Sequence, residues 1–357
     1  MKARPLLPWV ALALLALLAA LWAGLMRLGW ALPAPTPNLA LMHGPLMVSG
    51  FLGTLITLER AVALKQKWMF AAPLLTGVGW VLSLAVPALP LGGSIMLLGS
   101  IGGVAILTAI VRRETEVFTI TMLFGVLAWV VGNILWLVGF PIFQIVIWWQ
   151  AFLVLTIAGE RLELNRVLRP SRPAIRAFSA LVALYLAGAI VASFALGLGA
   201  RLTGIAMLLL SAWFLRNDIA VRNLRHNLSL TRFIAWCLFL GFFWLGFGGF
   251  LNLVLGATYA GPHYDAVLHV VFVGFVISMI FGHAPIIFPA ILQTAIVFSP
   301  AFYGHLALLH VSLVLRVAGD LLSSQAIRQW GGMLNAVAIL LFLVVTLIAV
   351  RQGMKKQ

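Results

Sequence analysis

The sequence predicts an all-α, polytopic integral membrane protein of about twelve transmembrane helices. Three observations predict it. Of 357 residues, 63% are hydrophobic and only 9% are charged, where soluble domains carry roughly 25% charge. Apolar runs of the ~20 residues needed to cross the hydrocarbon recur along the whole chain. Lys and Arg gather on alternate connections between those runs, as the positive-inside rule requires. No stretch between runs is long enough for a soluble domain, so residues 1–357 read as a single membrane domain.

The runs place helix 1 over 8–26 and helix 2 over 39–63, after a turn punctuated by Pro33, Pro35 and Pro37. Helix 1 is too long in its apolar core for a signal peptide and reads as uncleaved. Helices 3, 4 and 5 follow near 69–89, 91–111 and 117–139, separated by Pro87 and Pro90 and by a basic loop at Arg112-Arg113. Helix 6 covers 142–164 after Pro141, helix 7 covers 175–197 and helix 8 covers 200–216. Helix 9 is near 233–256, helix 10 near 265–288 beyond Pro262, helix 11 near 301–323 and helix 12 near 329–351. These prolines punctuate the turns.

The charge map tests that order. Of the 23 Lys and Arg, all but Arg27, Arg201, Arg316 and Arg328 fall at one set of helix ends, from Lys2 and Arg4 to Lys355 and Lys356. Both termini are therefore expected in the cytoplasm and the helix count is even. The net charge of +15 then reflects orientation and contact with anionic lipid head groups, and no nucleic-acid partner is expected. Basic patches interleaved with stacking aromatics are absent. The single cysteine, Cys237, excludes an internal disulfide and a zinc or iron–sulfur cysteine set.

A faint internal repeat is expected. Helix 2 ends in Leu58-Glu59-Arg60, helix 6 in Gly159-Glu160-Arg161, and helix 10 reaches the same depth at Gly282-His283. Helices four apart suggest a pseudo-threefold arrangement of four-helix units.

Ionisable groups inside a membrane are functional candidates by default. His43 and His269 fall near the outer ends of helices 2 and 10, and two imidazoles facing across a bundle can hold a six-coordinate haem. Gly44, Gly50, Gly53 and Gly274 remove bulk beside them, which equally suits ordinary helix packing. Arg316 and Asp320 are four apart on helix 11, allowing a local ion pair. Arg316 or Arg27 could instead meet haem propionates. His283, His305 and His310 form a lower group suited to copper, a second haem or proton relay, or to a structural polar cluster. Asn133, Asn252 and Asn335 read as interhelical hydrogen bonds, and Glu59-Arg60 and Glu160-Arg161 as interhelical salt bridges. The chain has no phosphate-binding glycine loop, no serine nucleophile motif and no CxxCH attachment site, so any haem is non-covalent, b-type or related.

Twelve helices, the His43-Gly44-x-x-Met47 start of helix 2 and the partner histidine on helix 10 distantly resemble the haem–copper oxidase catalytic subunit. That enzyme's copper histidines on helices 6 and 7 have no counterpart; Gln144, Trp148 and Gln150 stand on helix 6. The segments Met42–Arg60 and His269–Asp320 are more similar to the NnrS family of twelve-helix haem- and copper-containing membrane proteins linked to the nitric oxide response. Ala284-Pro285 follows His283 where that family tends to have Gly-Arg. The resemblance implies a bacterial inner-membrane protein acting in nitric oxide response or respiratory electron transport, with redox membrane partners. The alternatives are a proton-linked transporter, supported by the possible repeat, and a cofactor-free structural subunit of a membrane complex.

Overall fold

The computed structural model describes residues 6–88, 90–292 and 296–355. Lys2, Arg4, Leu89 and Lys356 therefore lie outside the described residues. Among the described residues, 12 helices are long and apolar enough to cross a membrane. They are α1 (Leu7–Arg27), α2 (Leu39–Leu64), α3 (Lys67–Ala85), α4 (Leu91–Arg113), α5 (Val117–Leu137) and α6 (Ile142–Leu168). Then come α7 (Arg172–Ala192), α8 (Leu196–Asn217), α9 (Ser229–Leu255), α10 (Gly261–Ile287), α11 (Ala301–Leu321) and α12 (Gln325–Met354). The architecture is that of a multi-pass membrane protein. Large apolar side chains point outward at helical spacing, as with Val311 (67% exposed) and Val314 (57%) on α11. Such stripes would be a liability in water and are natural against lipid.

The chain divides into two compact units, Met1–Thr156 and Ile157–Gln357, with the division inside α6. In the first unit, α3 and α4 close to backbone contact. A Cβ at Gly79 would fall 2.5 Å from Met96 Cγ, and one at Gly92 would strike the Ser83 backbone. In the second unit α8 crosses α9 where Gly204 faces Gly249, and α11 crosses α12 where Gly331 lies on the Arg316 backbone. Small residues at crossings let membrane helices approach closely enough for dispersion to hold them.

Several helix ends fall a few residues from the sequence expectation, and two of these shifts have a clear physical reason. The turn between α7 and α8 falls at Ser193–Ala195, earlier than 197–200. Gly199 belongs inside α8, where its missing side chain admits the Ala192 backbone; the glycine serves packing and not the turn. Pro262 and His263 lie in the first turn of α10, not in a loop before it, because proline at the first positions of a helix gives up no intrahelical hydrogen bond. At the other side of that loop Gly256, at φ +64, ends α9, and Arg201 of α8 lies against it. A cation there meets the negative end of the α9 dipole, which accounts for one of the basic residues outside the main set.

Helices α2 and α10 share an irregularity. Each passes through eight residues of π-helix, Leu46–Gly53 in α2 and Val270–Ile277 in α10, before resuming as α-helix at Thr54 and Ser278. Glycine takes the fifth place in each segment (Gly50, Gly274) and phenylalanine the sixth (Phe51, Phe275). Glu59 and His283 each follow six residues after the segment ends. α6 is regular α-helix over Ile142–Leu164.

Candidate functional site

In the first unit the site is built around His43, at the start of α2. Its Nδ1–H donates to the Ala20 carbonyl of α1 at 2.8 Å. A carbonyl only accepts, so this contact places the ring proton on Nδ1 and makes Nε2 the acceptor of the neutral ring. The ring lies over Gly24, where a Cβ would come 2.9 Å from Cε1. Arg27 follows Gly24 by three residues and is exposed at the end of α1. Below His43 a buried polar group crosses three helices. Trp129 Nε1 donates to Ser49 Oγ at 2.8 Å, and Ser49 Oγ and Trp149 Nε1 both donate to Asn133 Oδ1, at 3.1 and 3.0 Å. Asn133 is thus the interhelical hydrogen-bonding residue expected, and Ser49 brings the π segment of α2 into the same group.

In the second unit His269 immediately precedes the π segment of α10. Its Nδ1–H donates to the Asp265 carbonyl at 2.8 Å, with the Asp265 carboxylate at 3.3 Å. Its Nε2 accepts from Arg316 Nη2 at 3.2 Å. Arg316, in turn, grips Asp265 with two parallel bonds, Nε to Oδ2 at 2.8 Å and Nη2 to Oδ1 at 2.9 Å. This bidentate arrangement is the strong form of an arginine–carboxylate pair. Arg328, from the first turn of α12, stands 2.9 Å from Asp320 and 3.7 Å from Asp265. Arg316 therefore turns to α10, and Asp320 is served by Arg328, where the sequence suggested a local Arg316–Asp320 pair. The physical reason is that the pair across helices lets a planar guanidinium use both donors, which four residues along one helix do not offer as well.

Asp265 and Arg328 are the two members of this network that the sequence reading did not single out. One signal for Asp265 was present: it precedes His269 by four residues, one helical turn. Aligned on their π segments, His43 and His269 differ by two positions, ~3 Å of rise and ~200° around a helix.

The lower histidines do not form one cluster. His283 Nδ1–H donates to the Met279 carbonyl at 2.7 Å, and its Nε2 is buried with no hydrogen-bond partner among the described residues. His305 is fully buried among the rings of Phe233, Phe281, Phe302 and Phe342, at centroid distances of 4.7–5.9 Å, with neither ring nitrogen hydrogen-bonded among the described residues. His310 Nδ1 accepts from Trp244 Nε1 at 2.9 Å. That contact puts the neutral ring's proton on Nε2, so ligation of a metal by His310 would require giving up the indole bond or changing tautomer. His305 and His310 are five residues apart on α11, ~140° around the helix. Among the described residues no three His, Cys, Asp or Glu side chains gather closely enough to hold a metal ion.

On the expected cytoplasmic side, Arg161 makes a buried bidentate pair with Asp218, at 2.9 and 2.6 Å, completed by Asn165 Nδ2 at 3.1 Å. Asp218 also receives the Ala220 amide as the cap of a short helix, Ile219–Asn223. This is the interhelical salt bridge expected of Arg161. Asn335 likewise bonds across helices, to Ser312 Oγ at 2.7 Å.

Fold and site together define a polytopic helical membrane protein with a buried ion network at one end of α10–α12 and two histidine-led π segments. Residues 6–351 match the family described as a domain of unknown function (DUF8744), and the chain belongs to that family. None of the curated proteins compared with it matches.

Proposed function

We propose that this is a membrane-embedded haem-binding protein, with His43 and His269 as axial ligands to one non-covalent haem. The observation that carries the reading is the same at both residues. In each, a backbone carbonyl holds Nδ1–H, from Ala20 for His43 and from Asp265 for His269. Metal-ligating imidazoles are oriented in this way, through an acceptor on the other ring nitrogen that fixes the tautomer and directs the Nε2 lone pair at the metal. The donor chemistry therefore fits a haem iron. At His269 the Nε2 lone pair is taken by Arg316; were a haem bound, His269 would hold it only in place of that bond, and Arg316 would be the residue to pair with an anionic propionate. Haem would supply one-electron chemistry or a small-molecule binding centre. A bis-histidine iron has no open position, so electron transfer suits this ligand set better than catalysis.

The proposal extends to the bacterial inner membrane, both termini cytoplasmic, NnrS-like participation in nitric oxide response or respiratory electron transfer, and related four-helix units with α2 and α10 as corresponding members. Copper at His283 remains part of it through the buried, unpartnered Nε2. The test is the absorption spectrum of detergent-purified protein expressed with haem precursors. A sharp low-spin spectrum, lost in H43A and in H269A separately, is expected. Colourless protein that takes up no added haemin would overturn the assignment.

A second reading, a proton-linked transporter, is favoured by one specific observation. The matched π segments of α2 and α10 are paired irregularities at corresponding places, of the kind that mark transport sites. Proton-coupled uptake by proteoliposomes of colourless protein would move this reading ahead.

A further inference from the structure

The end of the second unit where α6 and α8 finish and α7 and α9 begin is built differently from an ordinary basic loop. Segments 160–176 and 216–232 carry nine arginines, no lysine and three acids, Glu160, Glu163 and Asp218. Asp218 is turned inward. Arg161 Nε and Nη2 hold its two carboxylate oxygens at 2.9 and 2.6 Å, and the two side chains are 4% and 0% exposed. Asn165 completes a clamp: its Nδ2 donates to Asp218 at 3.1 Å and its Oδ1 accepts from the Ile219 amide at 2.9 Å. A second tie, Trp213 Nε1 to the Ala174 carbonyl at 2.9 Å, joins α8 to the start of α7. The α6–α7 and α8–α9 connections are therefore fixed side by side. Exposed arginines flank the clamp, Arg169, Arg172 and Arg176 on one side and Arg216, Arg222 and Arg225 on the other.

Helix electrostatics do not account for all of them. Arg172 is the first residue of α7 and Arg176 lies one turn on, with no acid in that first turn, at the end where the dipole favours anions. Beside the arginines stand two bare apolar side chains, Val167 (72% exposed) and Leu228 (65%). We propose that the two connections, locked together over the buried Arg161–Asp218 pair, form a binding surface for an anionic phospholipid whose head group carries two phosphates. The proposal is independent of the haem reading. Membrane orientation asks only for positive charge near helix ends, which lysine supplies as well; the first unit uses Lys65, Lys67, Arg112 and Arg113. Arginine adds a planar fork that meets phosphate oxygens with two parallel bonds, where lysine offers a point charge. Two connections held at a fixed separation present that fork twice, which suits two linked phosphates, and Val167 and Leu228 rest against the upper acyl chains.

The experiment titrates delipidated full-length protein in non-ionic detergent with diphosphatidylglycerol, and counts bound lipid by native mass spectrometry with thermal unfolding as a second readout. Diphosphatidylglycerol should bind more tightly than phosphatidylglycerol at equal phosphate, and phosphatidylcholine should not compete. Binding should weaken roughly fivefold for each arginine removed, the effect of one basic residue at a membrane surface. The variant Arg169→Gln/Arg172→Gln/Arg222→Gln/Arg225→Gln should therefore lose the lipid. Lys65→Gln/Lys67→Gln/Arg112→Gln/Arg113→Gln, which removes the same charge from the first unit, should keep it. Equal losses in the two variants would overturn the proposal, because net charge alone would then explain binding. Retention by the arginine variant, or equal binding of phosphatidylcholine, would overturn it too. Inorganic pyrophosphate that displaces the lipid and protects the protein as well as the lipid does would overturn the lipid assignment in favour of a soluble phosphate ligand. Asp218→Asn tests the clamp: it adds positive charge to this end, so simple attraction tightens binding, whereas a surface built on the clamp binds more weakly. Should Asp218→Asn not accumulate, the two fourfold variants decide, since all eight positions are exposed.

Discussion

The starts of α2 and α10 carry the same device in different electrical surroundings. Both present a histidine whose Nδ1–H is tied to a backbone carbonyl, and both then pass through eight residues of π-helix with glycine in the fifth place. Around His43 the contacts include the Ala20 backbone carbonyl and Gly24 of α1. Around His269 they are with Asp265 and Arg316, in a network that continues to Asp320 and Arg328. The difference teaches that one backbone motif can sit against a close helix contact in one place and within a charge network in another, and the two settings fail differently. A packed anchor fails by steric intrusion. A charged anchor fails by leaving a buried ion without its partner.

The largest expected effect breaks the charged side. Arg316 is 7% exposed and holds Asp265 with two bonds. Removing it by Arg316→Ala strands a buried carboxylate, and breaking such a pair typically costs ~3–5 kcal/mol. Thermal unfolding in detergent should show a drop of many degrees or a failure to accumulate. Arg316→Lys keeps the charge but not the fork and should recover only part. His43→Ala, by contrast, breaks the neutral hydrogen bond to the Ala20 carbonyl, which accounts for about 1 kcal/mol. Equal losses for Arg316→Ala and His43→Ala would erase the distinction drawn here.

The next effect compares the two glycines. A Cβ at Gly274 would fall 2.5 Å from Trp244 Cγ and 2.6 Å from its Cβ, atoms too close to the backbone to swing away. At Gly50 the nearest atoms are Ala16 Cβ at 3.1 Å and Trp80 Cγ at 3.3 Å, which shifts of a few tenths of an ångström relieve. Gly274→Ala should therefore destabilise by ~1–3 kcal/mol, the usual cost of overpacking, and Gly50→Ala by less. The same thermal assay checks both, and a larger loss at Gly50 would show that the two π segments are not packed as corresponding elements.

Much of this fold was legible in the sequence because the bilayer restricts what a sequence can do. A long apolar run has to become a helix that satisfies its own backbone, so the twelve spans followed from hydropathy and the basic residues at their ends. Glycine was read less well. The expected break between helices 7 and 8 fell at 197–200, yet Gly199 is a packing glycine inside α8, because the residue that breaks helices in water also permits their closest approach in lipid. The π segments were not legible at all: Leu46–Gly53 and Val270–Ile277 have ordinary apolar composition, and the wider turn follows from how the helix packs.

The candidate site was read in part. His43, His269 and Arg316 were singled out, and the last two touch. Asp265 carries a weaker sequence signal than Asp320, because an acid four residues after an arginine on one helix offers it an obvious local partner. Local spacing favours a pair on one helix, whereas tertiary packing decided for the pair across helices. For the lower histidines, spacing along the chain gave depth but not direction. His305 and His310 share α11, yet one faces a phenylalanine box and the other an indole.

The smallest effect sharpens the comparison of the two tryptophans that lie on the π-segment glycines. Trp80 of α3 packs on Gly50 and Trp244 of α9 on Gly274, so the two indoles hold corresponding places. Their polar ends differ. Trp244 Nε1 donates to His310 Nδ1 at 2.9 Å, while Trp80 Nε1 is buried with no hydrogen-bond partner among the described residues. Replacement by Phe removes the N–H in both and shrinks the ring in both, so the packing losses are comparable and the difference isolates the hydrogen bond. At Trp244 the change also leaves His310 Nδ1 as a buried acceptor without its donor, a cost of ~1–3 kcal/mol. At Trp80 it deletes a donor that has no bond to lose, which offsets part of the packing loss. Trp244→Phe should therefore lower the unfolding temperature by more than Trp80→Phe. In a double variant with His310→Leu the Trp244→Phe penalty should shrink, because the acceptor is gone and the two changes share one interaction. If Trp244→Phe costs the same with and without His310, the indole–imidazole bond contributes nothing to stability, and the two tryptophans serve only as packing for their glycines.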